Sequence, residues 1–176
     1  MSKFRYPVDI DQFQKIREQG MLYVDKTDMM YDLVDKYSYV FLARPRRFGK
    51  SLLCNTLKAY FKGQKELFEG LKVMELEENW KTYPVLYFIL SGLKDCSIPE
   101  AKSKLEGFLR NYEKTYGRDI TDETPGARFS GLIHRAYEQT GEKVVIILDE
   151  YDSAIMRLMS DPDKLDAMRS LLREFY

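Results

Sequence analysis

Three short apolar runs alternate with amphipathic segments along the chain. Residues 39–43, 85–90 and 144–148 are rich in β-branched and aromatic side chains and are bounded by polar residues, proline or glycine. Runs of this length and composition are typical of buried strands. Strands that alternate with helices favour a parallel sheet covered by helices. The sequence therefore predicts an α/β fold with a mainly parallel sheet, although three strands are few for such a sheet.

Capping residues and glycines mark the ends of the predicted helices. Apolar residues recur at helical spacing in five segments, which are residues 25–37, 51–61, 99–116, 125–140 and the stretch that begins at Pro162. Residues 65–82 are poorly periodic and predict only a short helix or loop, with Trp80 as an anchor. The last helical pattern runs to the end of the sequence without a C-terminal cap. We therefore interpret residues 1–176 as one domain that forms the N-terminal part of a longer protein.

Composition and charge exclude several classes of protein. The 28 basic residues balance the 28 acidic ones, which disfavours a dedicated nucleic-acid binder. The apolar runs fall far short of the roughly 20 residues of a membrane span, and the start lacks the apolar stretch of a signal peptide, so we expect a cytoplasmic protein. Two cysteines without CxxC spacing and a single histidine argue against disulfides and zinc. Any metal is therefore expected to be bound by oxygen, as magnesium is.

The turn between the first predicted strand and the helix that follows contains Gly49, Lys50 and Ser51. A phosphate site at such a turn needs backbone amides, a lysine that reaches the outer phosphates and a hydroxyl group for the metal. A Gly-Lys-Ser triplet alone is weak support for this function. Its position between a strand and a helix strengthens the prediction. We predict a nucleotide-binding loop here, with Ser51 as a metal ligand.

The loop departs from the general GxxxxGK[ST] pattern, because Arg44 and Pro45 replace its first glycine and the next residue. Pro45 has no N–H to offer a phosphate and restricts the residue before it to extended conformations. Arg46 and Arg47 follow, and they either add positive charge near the phosphates or pack on acidic neighbours. Both alternatives stay open at this stage. The predicted binding loop comprises Arg46, Arg47, Phe48, Gly49, Lys50, Ser51 and Leu52.

Two carboxylates, Asp149 and Glu150, follow the apolar run 144–148. In nucleoside triphosphatases, an aspartate at the end of a strand holds magnesium and a neighbouring acid positions the attacking water. We predict these roles for Asp149 and Glu150, with Lys50 as the second catalytic residue. The alternative is a strand end with two solvated acids, and the Gly-Lys-Ser turn upstream favours the functional interpretation.

Three stretches of the chain resemble the AAA-ATPase-like proteins of bacteria and archaea. These are residues 23–27 (YVDKT), 41–52 (FLARPRRFGKSL) and 148–152 (LDEYD). The resemblance implies a P-loop fold, a three-layer α/β/α sandwich that binds ATP with Mg²⁺, and it makes Arg44 a usual feature of the loop. It also implies later strands, a sensor region and, in many relatives, a C-terminal PD-(D/E)XK nuclease-like domain. Capping of a helix by Asp25 explains residues 23–27 more simply than a role near the nucleotide base.

The predicted function is ATP binding with magnesium-dependent hydrolysis that drives or gates a nuclease-like or partner domain. Two alternatives stay open: a non-hydrolysing nucleotide switch or interaction module, and a nucleic-acid-associated domain. Phosphoryl transfer of this kind often needs an arginine from a neighbouring subunit or segment, and the sequence identifies none. A homo-oligomer is therefore compatible with the sequence but is not specified by it.

Overall fold

The computed structural model describes residues 5–43, 45, 47–151, 155 and 158–175. The chain divides into two compact units, one that extends to Tyr83 and one that begins at Pro84. Each unit has its own apolar core.

The first unit consists of helices joined by turns. It contains α1 (Phe13–Glu18), α2 (Thr27–Lys36) and α3 (Lys50–Phe61), followed by two 3-10 helices at Lys65–Phe68 and Lys72–Glu75. The fully buried rings of Phe13 and Phe68 lie at its centre, with centroids 4.8 Å apart. Trp80 packs against this core, 5.1 Å from the ring of Phe68. The prediction that Trp80 anchors an irregular segment is therefore confirmed. The sequence analysis did not identify α1.

Asp25 and Thr27 connect the start of α2 to the second 3-10 helix. The Oδ1 atom of Asp25 accepts hydrogen bonds from the amide and hydroxyl groups of Thr27, and Oδ2 accepts one from the amide of Lys72. Thr27 is fully buried, and its hydroxyl oxygen accepts a bond from the amide of Val73. Desolvation raises the pKa of Asp25, but the bonds from Lys72 and Thr27 outweigh it and hold that pKa below its usual range. The N-cap residue of α2 is Lys26, and its side chain makes no capping bond. Asp25, one position earlier, accepts the amide of Thr27, the first residue of the helix.

The second unit is built on two parallel strands, β1 (Val85–Ile89) and β2 (Val145–Asp149), paired from Val85 opposite Val145 to Ile89 opposite Asp149. A 3-10 helix, Leu90–Leu93, follows β1, and the unit also contains α4 (Ile98–Tyr116), α5 (Pro125–Thr140) and α6 (Pro162–Phe175). One face of β1 packs against the helices through Leu86 and Phe88. The prediction of an α/β fold with parallel pairing is confirmed in this unit, and the three-layer sandwich remains a prediction.

Local signals in the sequence explain the ends of these helices. Ser97 and Glu100 form a capping box at the start of α4, and the hydroxyl of Thr124 accepts the amide of Ala127 at the start of α5. Gly141 ends α5 in the left-handed conformation, with φ 69°. The predicted helix boundaries agree with the structure to within two residues at these ends.

The prediction of a buried strand at residues 39–43 is wrong. This segment forms no strand, and the side chains of Tyr39 and Phe41 are 95% and 73% exposed. An apolar run rich in β-formers reports only a local preference, whereas a strand also needs backbone partners on a neighbouring strand. The described strands, β1 and β2, pair with each other. The loop that follows residues 39–43 therefore leads into the helix α3 but is not preceded by a strand.

A buried ion pair joins α4 to α5. The guanidinium group of Arg128 donates two hydrogen bonds to the carboxylate of Glu113, both 2.8 Å long, and the two side chains are only 6% and 7% exposed. The hydrogen bond from Arg128 holds the pKa of Glu113 below its usual range. A bidentate pair of this kind is stable only while both partners are charged.

We expect Glu113→Gln to destabilise the protein at neutral pH by about 3 kcal/mol, because it leaves the charge of Arg128 buried without its partner. Since the folded-state pKa of Glu113 is lowered, its contribution is fully present above the unfolded value of about 4.5 and is lost as the pH falls through the folded value. The difference between wild type and variant should therefore shrink below about pH 4.5. Urea unfolding between pH 7 and pH 3 measures this difference in the free energy of unfolding.

Glu138→Gln is the control, because Glu138 is exposed and pairs with His134 on the surface. If the difference between wild type and Glu113→Gln stayed constant over this pH range, the expectation would be contradicted.

Candidate functional site

Helix α3 begins at Lys50, directly after a glycine in the left-handed conformation. Gly49 has φ 74° and ψ 23°, and its carbonyl accepts the amide of Leu53 at 3.0 Å, which is the first bond of the helix. The amides of Lys50, Ser51 and Leu52 precede that bond, as the first amides of every helix do. Because the N-cap residue is glycine, the helix has no side chain at that position that could cap its first turn. Such a helix end is suited to bind an anion.

The left-handed backbone, and not crowding, accounts for the glycine at position 49. Among the residues that the structure describes, and apart from its two chain neighbours, no atom lies within 4 Å of a Cβ built on Gly49. A left-handed φ costs an L-residue about 1–2 kcal/mol, and glycine avoids this cost. Arg47, two residues earlier, also has a positive φ, of 68°. Residues in this conformation turn successive amides toward one side and are common in phosphate-binding loops.

The side chains of the predicted loop have different environments. Phe48 is exposed, Lys50 and Ser51 are half-buried, and Leu52 packs against the core of the first unit. The structure therefore brings Gly49, Lys50, Ser51 and the amide of Leu52 together at one helix end. The side chain of Leu52 serves the core. Arg46, which we predicted to contact phosphate, lies outside the described residues, as does Arg44.

Asp149 is the last residue of β2 and is 4% exposed. The hydroxyl group of Tyr87, on β1, donates a hydrogen bond to Oδ2 of Asp149 at 3.1 Å. Tyr87 was not predicted from the sequence, because the contact joins residues 62 positions apart and depends on the register of the two strands. The alternative of two fully solvated acids does not apply to Asp149.

Glu150 follows the strand in the left-handed conformation, with φ 56°. This conformation is uncommon for residues other than glycine, asparagine and aspartate, and it costs of the order of 1–3 kcal/mol. The side chain of Glu150 is half-buried. Strained residues of this kind occur often at catalytic and ligand-binding turns. The backbone thus distinguishes Glu150 from an ordinary acid at a strand end.

The oxygen atoms of Ser51 and Asp149 are of the type that magnesium prefers. Within the described part of the chain, no three histidine, cysteine, aspartate or glutamate side chains gather as a metal site would require. Magnesium in nucleotide sites commonly takes only one or two ligands from the protein and the rest from phosphates and water. Ser51 and Asp149 each carry an oxygen donor of the type that Mg²⁺ prefers, and their binding of the ion remains a prediction.

Comparison with known proteins assigns the family. A model of the AAA-ATPase-like family, described as predicted AAA-ATPase, matches residues 7–176. The chain therefore belongs to the AAA-ATPase-like family, and the resemblance noted in the sequence is confirmed. It is also 36% identical over 177 residues to an uncharacterized protein in the vnfD 5' region of Azotobacter chroococcum mcd 1. That match covers 100% of this chain and 34% of the relative, so the chain spans about a third of the relative's length. No solved structure matches.

Across the residues that the structure describes, no helix is long and apolar enough to cross a membrane.

Proposed function

We propose that the chain binds ATP at the start of α3, as the nucleotide-binding part of an AAA-type ATPase with a P-loop fold. The observation that carries the proposal is the left-handed Gly49 followed at once by the 12-residue helix that begins at Lys50. The family supports the same conclusion, since its members are described as predicted ATPases.

The groups at this helix end suit a polyphosphate. The amides of Lys50, Ser51 and Leu52 and the positive end of the helix dipole favour negative charge. Lys50 supplies a full positive charge to the outer phosphates, and Ser51 supplies a hydroxyl group. Gly49 has no Cβ, so phosphate oxygens could approach its backbone closely. Arg46 and Arg47 add charge to the same loop.

Magnesium, held by Ser51 and Asp149, would neutralise charge on the phosphates. Glu150 orients the attacking water and accepts its proton, while Lys50 stabilises the negative charge on the transferred group. In the longer protein, hydrolysis would drive or gate a nuclease-like or partner domain. A non-hydrolysing nucleotide switch is the alternative, and Glu150 distinguishes the two. A glutamate directly after Asp149 favours hydrolysis, because its carboxylate can accept a proton from water.

Lys50→Ala should weaken the binding of Mg-ATP by about tenfold to hundredfold, because a charge-assisted contact to phosphate contributes about 1.5–3 kcal/mol. Isothermal titration calorimetry of the purified chain measures the affinity. Lys62→Ala is the matched control, since Lys62 is an exposed lysine at the opposite end of α3. Equal affinities for wild type and Lys50→Ala would contradict the proposal, as would the absence of binding by the wild-type chain.

Gly49→Ala and Gly70→Ala should have the same effect on stability but different effects on ATP. Both glycines have a left-handed backbone, with φ 74° and 73°, and neither has an atom within 4 Å of an added Cβ. Thermal unfolding should show that each variant loses about 1 kcal/mol. In calorimetry, only Gly49→Ala should bind ATP more weakly, because its methyl group would stand between the backbone and the phosphates. An equal loss of ATP affinity in the two variants would argue against the loop as the binding site.

Glu150→Gln should lower the rate of ATP hydrolysis by about a hundredfold or more while ATP affinity changes less than about threefold, since the amide cannot accept a proton from water. Phosphate release under saturating Mg-ATP, together with calorimetric titration, separates the two quantities. Glu138→Gln, an exposed change on α5, should leave both unchanged. Binding without any hydrolysis in the wild-type protein would favour the nucleotide switch instead.

A further inference from the structure

The hydroxyl group of Tyr87 contacts the one carboxylate that the proposed function assigns to the metal. From this contact we propose that Tyr87 is a positioning residue: it orients the carboxylate of Asp149 toward magnesium, and Tyr112 holds Tyr87 in place for that purpose. The inference rests on the proposed function, because it concerns the same nucleotide site.

The strand register explains why the donor is a tyrosine. Tyr87 lies opposite Ile147, and Asp149 lies opposite Ile89, so Tyr87 and Asp149 are on the same face of the sheet and offset by two residues. From strand spacing and rise, the separation of their backbones is roughly 8 Å. A serine or threonine hydroxyl would not cover that distance, whereas the long side chain of tyrosine does. The result is the 3.1 Å hydrogen bond to Oδ2 of Asp149.

Tyr112 holds the main chain of Tyr87 from α4. Its hydroxyl oxygen accepts the amide of Tyr87 at 2.6 Å and donates to the carbonyl of the same residue at 3.0 Å. The ring of Tyr112 packs edge-on against the buried Phe88, with centroids 5.6 Å apart. Burial raises the pKa of Tyr112, so its hydroxyl group stays protonated and remains a donor at neutral pH. One line of contacts therefore runs from α4 through Tyr112 and Tyr87 to Asp149.

The chemistry of the donor suits a metal ligand. A buried carboxylate needs hydrogen bonds, and an arginine or lysine would supply them together with a positive charge that competes with a cation. The phenol of Tyr87 is neutral, so it orients Asp149 and leaves its negative charge for a divalent ion. A carboxylate has about four lone-pair positions, and one hydroxyl group occupies a single position. Tyr87 therefore restrains the rotation of Asp149 without using its capacity for a metal.

Tyr87→Phe tests the inference, because it removes only the hydroxyl group and keeps the ring and the bonds between the main chain and Tyr112. ATP affinity is measured by calorimetry with EDTA and with excess Mg²⁺. In EDTA, we expect Tyr87→Phe to bind ATP with the same affinity as wild type. With Mg²⁺, the increase in ATP affinity should be about tenfold smaller in the variant, because a hydrogen bond to a charged group is lost. Tyr137→Phe removes a tyrosine hydroxyl from the surface of α5, where the side chain is 52% exposed, and should behave as wild type.

A second measurement follows the NMR signal of Tyr87 in the wild-type protein and does not depend on the ATP affinity of Tyr87→Phe. In protein labelled with ¹³C at the tyrosine Cζ positions, the signal of Tyr87 is assigned by its absence from Tyr87→Phe. Mg²⁺ with a non-hydrolysable ATP analogue should shift this signal in the wild type and not in Asp149→Asn. A hydroxyl group with a purely structural role would give no such response to the metal.

The outcomes separate the two proposals. If wild type binds Mg-ATP and Lys50→Ala binds it at least about tenfold more weakly, the proposed function stands. An unchanged magnesium effect in Tyr87→Phe, or a Tyr87 signal that magnesium leaves unmoved, then overturns the role of Tyr87 alone. If the wild-type chain binds no ATP under either condition, both proposals fail. Should Tyr87→Phe fold poorly, the comparison of wild type with Asp149→Asn decides the question: a tyrosine signal that Mg²⁺ shifts only in the wild type supports the role of Tyr87, and the absence of any such signal overturns it.

Discussion

The parallel pairing of β1 with β2 is the constraint on which the second unit depends. Parallel strands cannot be joined by a tight turn, so the chain between them must form a long connection, and here it forms α4 and α5. These helices cover the face of β1 that carries Leu86 and Phe88, and α6 adds to the same core. The pairing also sets the register that brings Tyr87 to Asp149. The packing of this core and the position of Asp149 beside Tyr87 thus both depend on the pairing of β1 with β2.

Backbone conformation distinguishes one candidate residue in each unit, Gly49 in the first and Glu150 in the second. Gly49 and Glu150 each lie at the end of a regular element, and each has a left-handed φ. For Gly49 this conformation costs little, because glycine has no Cβ. For Glu150 it is a strain that the surrounding structure must maintain. The first residue begins α3 without a side chain at its N-cap position, and the second lies directly after the last residue of β2. These two backbone conformations distinguish the start of α3 and the end of β2 from ordinary helix and strand ends.

Several features of this protein could be predicted from local sequence because their causes are local. Proline, serine and threonine caps set the starts of α4 and α5, and the Gly-Lys-Ser triplet located the start of α3 to within a residue. The strand at residues 39–43 was predicted wrongly, since strand formation depends on a partner that periodicity does not reveal. Tyr87 was missed for a related reason. Its role depends on a register between strands that are far apart in the sequence.

The sequence by itself determined the family and predicted the parallel α/β character that the second unit shows. It also located the Gly-Lys-Ser triplet and the two acids on which the proposed function rests. Each of these features depends on residue types at short spacings in the sequence. Few structures or functions are compatible with such a pattern. Only the tertiary structure decided that Asp149 is buried against a tyrosine hydroxyl and that Glu150 is strained. It also decided that Asp25 and Thr27 connect two segments of the first unit. Each of these depends on residues brought together from distant parts of the chain, because burial and hydrogen bonding are set by neighbours in space and not by neighbours in sequence.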